Sequence, residues 1–228
     1  MIKALLLSTI CISLFQPLAA QAPFSFMENG DGKPLFIQSN YVAEGSPYLN
    51  DEYRMAQVTA LNGTVYSNVQ VKLNLLDHVI QYLDRQGKEM ITEIPIKQVK
   101  FTSYVSEDRE VSELTFASYA GAMNAPNAVI YQVIDSGAIT LLKNTSVSFR
   151  DEKKYGSANT TRIFERKETY SVLTPDGRVK HLERGKDNVI ALFPDKQRQV
   201  EAFIEQEKLK CNSIKDCELV FTFYNSLK

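Results

Sequence analysis

From Met55 onward, apolar and polar residues alternate in short runs separated by turn formers. The clearest run is Val69-Gln70-Val71-Lys72-Leu73-Asn74-Leu75, whose alternation puts valines and leucines on one face of a sheet and polar residues on the other. Just upstream, Asn62-Gly63 stands between apolar flanks, the pair that best tolerates the positive φ angles of a tight hairpin. Residues 84–88, with Gly87, read as a second turn. The strand over residues 90–94 that follows is ended, or confined to an edge, by Pro95, which lacks an amide hydrogen. Residues 99–104 read as a short strand and residues 106–110 as a charged loop. Residues 128–134 and 138–149 form a hairpin candidate joined by Asp135-Ser136-Gly137, with Gly137 expected in the left-handed conformation. Residues 162–173 return through Thr174-Pro175-Asp176-Gly177 into residues 178–182, because proline presets the first torsion and glycine relieves the last.

Near Asp187 the period changes. Val189, Ile190, Leu192 and Phe193 predict a short helix stopped by Pro194. Asp195 is the expected cap of a second helix with Val200, Phe203 and Ile204 on one face. Ser213 is the expected cap of a third, with Asp216 in its first turn and Ile214, Cys217, Val220, Phe221, Tyr224 and Leu227 at helical spacing. The predicted fold is α+β and mainly β: a curved or meandering antiparallel sheet with two or three C-terminal helices packed on it. Strands do not alternate with long helices, which disfavours parallel sheets and dinucleotide-type folds. The expected organisation is an irregular segment over residues 21–54, the sheet over residues 55–182, and a helical end over residues 183–228 of the same domain.

Residues 1–20 change the setting. Lys3 precedes an apolar run over residues 4–15, Pro17 ends it, and Leu18-Ala19-Ala20 offers small residues to a signal peptidase. The run is too short to span a bilayer, so a cleavable export signal with cleavage after Ala20 is the expectation, and no later stretch is long and apolar enough to serve as an anchor. Cys11 lacks the small residues that precede a lipoprotein cysteine. Removing residues 1–20 takes away one Lys, leaving 25 basic and 27 acidic side chains. That balance is not the basic excess with which nucleic-acid binders displace counterions. A hydrophobic content of 44% supports a folded core.

Chemistry-bearing residues are sparse. Cys211 and Cys217 remain after cleavage, and an even pair in an exported chain, with Cys211 just before a helix capped by Ser213, predicts a disulfide. His78 and His181 lie far apart and outside any metal-binding motif; a turn and a solvent-facing strand position account for them. No G-x-S-x-G elbow, phosphate-cradling glycine loop or cofactor motif is found, and no catalytic residue is assigned. The acidic pairs and clusters Asp51-Glu52, Glu107-Asp108-Glu110 and Asp151-Glu152 fall in loop-like text, where solvated charge is the plain reading and an acid and base pair the alternative. Tyr41, Tyr48 and Tyr53 cluster in the irregular N-terminal segment and are the candidate ligand-binding aromatics. Asn62, Asn144 and Asn159 begin N-x-[ST] triplets, relevant only in a host that N-glycosylates.

The stretch Gly45-Ser46-Pro47-Tyr48-Leu49, then Asn62-Gly63-Thr64-Val65-Tyr66-Ser67-Asn68-Val69 and the alternating strand to Leu75, resembles uncharacterised exported proteins of bacterial cell envelopes, and the likeness extends to Phe223-Tyr224-Asn225-Ser226-Leu227. The resemblance implies a periplasmic or surface setting and carries no catalytic residues. The leading expectation is a non-enzymatic binding or interaction module whose partner is an envelope protein, a lipid or a glycan. The alternatives are a hydrolase acting on envelope polymers through loop carboxylates and a purely structural envelope component.

Overall fold

The computed structural model describes residues 27, 31–35, 41–102, 104–106, 109–111, 113–126, 128–153, 155 and 159–227. The expected export signal, Cys11, Glu107 and Asp108 lie outside them. Among the described residues the chain forms β1 (Gly32–Pro34), β2 (Tyr41–Glu44), β3 (Arg54–Ala60), β4 (Val65–Asn74), β5 (Val79–Leu83), β6 (Glu89–Thr92), β7 (Ile96–Phe101), β8 (Tyr104–Ser106), β9 (Arg109–Val111), β10 (Leu114–Ala117), β11 (Tyr131–Asp135), β12 (Thr140–Glu152), β13 (Thr160–Leu173) and β14 (Val179–His181). The helices α1 (Lys186–Ile190), α2 (Gln197–Gln206) and α3 (Ile214–Ser226) follow. The large sheet is open and mostly antiparallel, in the order β1-β6-β5-β4-β3-β7-β10-β11-β12-β13-β14. The exception is β2, which runs parallel to β13. Of the residues expected in a charged loop, Ser106 lies on β8 and Arg109 and Glu110 on β9, and these two strands pair antiparallel.

Three hairpins share one turn chemistry. Ala60 N–H donates to Thr64 O and Gly63 N–H to Ala60 O; Asp84/Lys88 with Gly87, and Thr174/Arg178 with Gly177, repeat the pair of bonds. In each the glycine alone is left-handed, with φ of 90°, 77° and 79°. Asn62 does not take positive φ, so its turn is the three-residue, glycine-bulged type rather than the two-residue one. Gly137 is not left-handed either. Its lack of a side chain matters for space: a Cβ there would stand 2.2 Å from Asn225 Oδ1 on α3.

Cross-strand partners share a face, so register locates the core. The row Val58, Val99, Phe116, Gln132, Lys143, Tyr170 crosses six strands through successive pairings. Its first three members are buried in a cluster with Val71, Leu73, Ile80, Tyr82 and Phe101. Two residues along β12 from Lys143, on the same face, Leu141 and its partner Val172 belong to a second cluster with Phe193, Val200, Ile204, Val220 and Phe221 from the helical end. Both clusters therefore sit on one face of the sheet. Between them runs a polar seam. Lys143 Nζ meets Glu168 Oε1 at 2.9 Å, Tyr170 Oη donates to Glu168 Oε2 at 3.3 Å, and Glu218 of α3 lies in the field of Lys143 and Asp135.

Carboxylates hold α3 in place. Asp135 accepts from Thr222 Oγ1 at 2.6 Å and from Asn225 Nδ2, which also donates to Ile139 O at 3.0 Å. Asp195 is not the cap of α2, whose N-cap is Lys196; it accepts from Tyr224 Oη at 3.1 and 3.2 Å. Ser213 does cap α3, accepting from Asp216 N at 3.1 Å, a contact worth about 1 kcal/mol.

The expected disulfide is not formed. Cys211 and Cys217 are free thiols, both fully buried in the helical cluster. Cys217 Sγ points at the Cys211 carbonyl oxygen, 3.6 Å away, while Asp216 Oδ2 accepts from the Cys211 amide at 3.0 Å and stabilises its left-handed backbone. The pair packs as small apolar side chains.

Two stability predictions follow from α3. Gly137→Ala forces its new methyl group against Asn225 and costs about 1–3 kcal/mol in denaturant unfolding; an unchanged midpoint contradicts this docking. Burial lifts the Glu218 carboxyl above its ordinary pKa, with Asp135 adding and Lys143 opposing. Its folded-state pKa thus exceeds the unfolded one, so its stabilising share is present at low pH and is lost as pH rises through the folded value. Glu218→Gln is expected to raise Tm at neutral pH and to leave it unchanged near pH 3, where both states are protonated. An unchanged or lowered Tm at neutral pH contradicts the buried-charge reading.

Candidate binding site

Of the three tyrosines expected to bind ligand, Tyr41 begins β2, and Tyr48 and Tyr53 lie on the segment between β2 and β3. This segment straps two distant strands together. β2 pairs with the start of β13, and the chain then crosses so that Leu49 N–H donates to Leu73 O and Leu75 N–H to Pro47 O, both at 2.9 Å. Arg166 of β13 reaches Tyr48 O, and Tyr48 forms an isolated bridge with Asn74. Gly45, at φ 78°, lets the turn pass close to the Phe164 carbonyl. The strap draws β13 toward β4 over a shared core, which is why Phe164 and Val147 join the cluster of Val71 and Leu73.

Each tyrosine meets a cation. Lys72 Nζ lies 3.8 Å from the Tyr48 ring centre and 5.6 Å from that of Tyr53, so those two are brought together. Tyr41 stands apart: its ring lies 4.3 Å from the Arg162 guanidinium, which also covers Phe149 at 3.9 Å, and packs edge-on to Phe164. Such contacts contribute about 0.5–1 kcal/mol each at half-exposed sites. Beneath Tyr48, Gln81 is almost fully buried, and its Nε2 donates to Tyr48 Oη at 3.5 Å, a long bond. Burial pushes the Tyr53 hydroxyl up, with Glu89 and Tyr48 adding to the shift.

The acidic residues are likewise engaged, and Asp151 and Glu152, expected in a loop, lie on the end of β12 opposite Arg162 and Thr161. Asp51 accepts from Ser46 Oγ, Glu52 pairs with Arg54 at 2.7 Å, and Glu152 pairs with Arg150. Asp151 takes a two-pronged contact from Arg162 at 2.7 Å, which holds its carboxyl below the usual range, the wrong direction for a general acid. The Glu110 side chain lies outside the description, as do Glu107 and Asp108. His78 occupies the β4–β5 turn at φ 54°, and His181 is exposed on β14. Among the described residues, no group of three or more His, Cys, Asp or Glu is placed to hold a metal ion, and no helix is long and apolar enough to cross a membrane.

A largely apolar concavity lies elsewhere, at the tip of the β3–β4 hairpin. It encloses about 390 Å³ between Ala60, Leu61, Asn62 and Tyr66 on one side and Ile94 and Pro95 on the other. A bond from Leu61 N–H to Pro95 O, 2.7 Å, fixes the two walls. Leu61 and Val65 are about half exposed, at 51% and 42%, although they flank a turn where polar residues are the rule. The lining residue Tyr66 is held from outside the trough, its Oη donating to Asp31 Oδ1 at 3.4 Å. This volume and mix of wall chemistry are those of small-ligand sites. Sequence reasoning passed over the groove because its walls come from residues some thirty positions apart. The available signal was the apolar pair Leu61 and Val65 beside Asn62-Gly63, which was used only to place the turn.

The chain matches no protein-family model, no curated protein and no solved structure.

The thiols give a direct check on the helical end. Burial raises the Cys217 thiol to about 11, with Cys211 and Asp216 adding, so the thiolate needed for attack is disfavoured. Ellman's reagent is expected to leave both cysteines untouched in native protein and to titrate both once the chain is unfolded without reductant. Rapid reaction of the native protein would contradict the packing. No reaction after unfolding would reveal a bridge.

Proposed function

We propose that the protein is an exported, non-enzymatic binding module that takes an apolar ligand, such as a lipid chain or the apolar side chain of an envelope protein, in the groove at the β3–β4 hairpin tip. The observation that carries this reading is the groove itself: a trough of about 390 Å³ walled by Leu61, Tyr66, Ile94 and Pro95, with Tyr66 bonded to Asp31. Exposed apolar side chains gathered in a concavity mark interaction sites on water-facing surfaces. The interior of the sheet does not compete for the role, because its face is filled by side chains such as Val71, Leu73, Val99 and Phe101 that solvent does not reach. The engagement of Asp51, Glu52, Asp151 and Glu152 by neighbouring hydroxyl and guanidinium groups weighs against the hydrolase alternative. The export signal read from residues 1–20, and the likeness of residues 45–49 and 62–75 to bacterial envelope proteins, supply the setting.

The test uses the protein lacking residues 1–20 and the environment-sensitive apolar probe 1-N-phenylnaphthylamine. Saturable binding in roughly the micromolar range is expected, since a groove of this size supports modest affinity only. Leu61→Arg, at an exposed position where substitution leaves the fold intact, is expected to weaken it at least about ten-fold. Full binding by that variant, or none by the parent protein, contradicts the assignment.

A further inference from the structure

We propose that Asn62 is a site of spontaneous deamidation, and that the reaction switches off the groove it lines; the second half rests on the binding reading above. The chemistry is internal to the turn. The backbone nitrogen of Gly63, after losing its proton to hydroxide, attacks Asn62 Cγ. A carbon–nitrogen bond forms, the side-chain amide leaves as ammonia, and a five-membered imide results. Water then opens the imide at either carbonyl, giving aspartate or its β-linked isomer. One water enters, one ammonia departs, and no redox partner is needed.

Three features favour the reaction. Asn62 Oδ1 accepts from Thr64 N–H at 3.0 Å, which folds the side chain over Gly63 and draws electrons from the carbon to be attacked. Gly63 carries no side chain, and nothing beyond its chain neighbours stands within 4 Å of the position a Cβ would take, so the turn is uncrowded on that side. The residue itself is exposed at a hairpin tip, open to hydroxide and water. One feature opposes it: the Gly63 N–H donates to Ala60 O at 3.0 Å and must be released first. That bond closes an exposed turn rather than a core ladder, so its local opening slows the reaction by about ten-fold at most. Asn144 and Asn68 lack this combination. Asn144 is half-buried with its Nδ2 donating to Ile130 O, and its successor is the β-branched Thr145. Asn68 is followed by buried, β-branched Val69.

The product changes the groove in two ways. Aspartate places a carboxylate on the wall beside Leu61, raising the cost of seating an apolar group. The β-linked isomer adds a backbone carbon to a turn whose closing bonds join Ala60 to Gly63 and to Thr64, and so shifts Leu61 away from Pro95. The groove thereby acquires an age.

The experiment follows native protein lacking residues 1–20 during incubation in mildly alkaline buffer, with peptide mapping by mass spectrometry. Mapping must separate Asn62 from Asn29, which is also followed by glycine. The mass gain of an amide-to-acid change is expected at Asn62 at a rate at least about ten-fold above Asn68 and Asn144, the advantage of a held, unhindered nucleophile. The deamidated fraction, separated by its extra negative charge, and an Asn62→Asp variant made directly are both expected to bind 1-N-phenylnaphthylamine several-fold more weakly. Equal rates at Asn62, Asn68 and Asn144 overturn the site. Rapid conversion with unchanged probe binding overturns the switch while leaving the site. If the unaged protein binds no probe, the groove reading fails, and the mass readout still decides the chemistry.

Discussion

The structure depends on the confinement of both hydrophobic clusters to one face of a single sheet. β12 and β13 make this possible, because their ladder is long enough to enter both: Leu141 and Val172 at one end lie under the helices, while Val147 and Phe164 at the other close over β3 and β4. A face that long must curl to exclude water from itself, and the sheet's own strand pairing does not finish the job, since β1 and β14 remain as edges. The strap from β2 to Leu49 completes it. That is why its tyrosines are committed to Lys72 and Arg162 and its backbone to Leu73, Leu75 and β13.

Between the clusters, Gln132, Lys143, Glu168, Tyr170 and Glu218 form a polar seam at the place where α3 meets the sheet. Partly buried polar networks specify register as well as adding energy, since each partner left alone would be costly. The same logic governs Asp135 and Asp195, which tie α3 to β11 and to the start of α2. Burial raises Tyr170 to about 12, with Glu168 and Glu218 adding, so its hydroxyl stays protonated and keeps donating across the seam.

What was legible in the sequence was local. The glycines of the turns at residues 60–64, 84–88 and 174–178 announce themselves because left-handed backbone is needed there whatever the rest of the chain does. Ser213 is legible for the same reason, since a cap and its helix lie within three residues. Non-local facts were not legible. The parallel docking of β2 on β13 joins residues well over a hundred positions apart, and a four-residue strand has no pattern that names its partner. Gly137 was read as a conformational glycine, whereas the constraint comes from Asn225 on α3. Asp195 looked like a cap and serves Tyr224 instead, and the paired cysteines looked like a bridge and pack as thiols. The groove fell in the same blind spot, because Leu61 and Ile94 become neighbours only through the sheet.

The most direct test of the single-face account is native-state hydrogen exchange of the ladder amides under increasing denaturant. Because β12 and β13 belong to both clusters, Leu141, Val172 and Val220 are expected to lose protection in the same cooperative step as Val58, Val99 and Val71, with one free energy and one denaturant dependence. Opening of the helical end well below the denaturant concentration that exposes Val58 and Val99 would show two independent units, and would contradict the account.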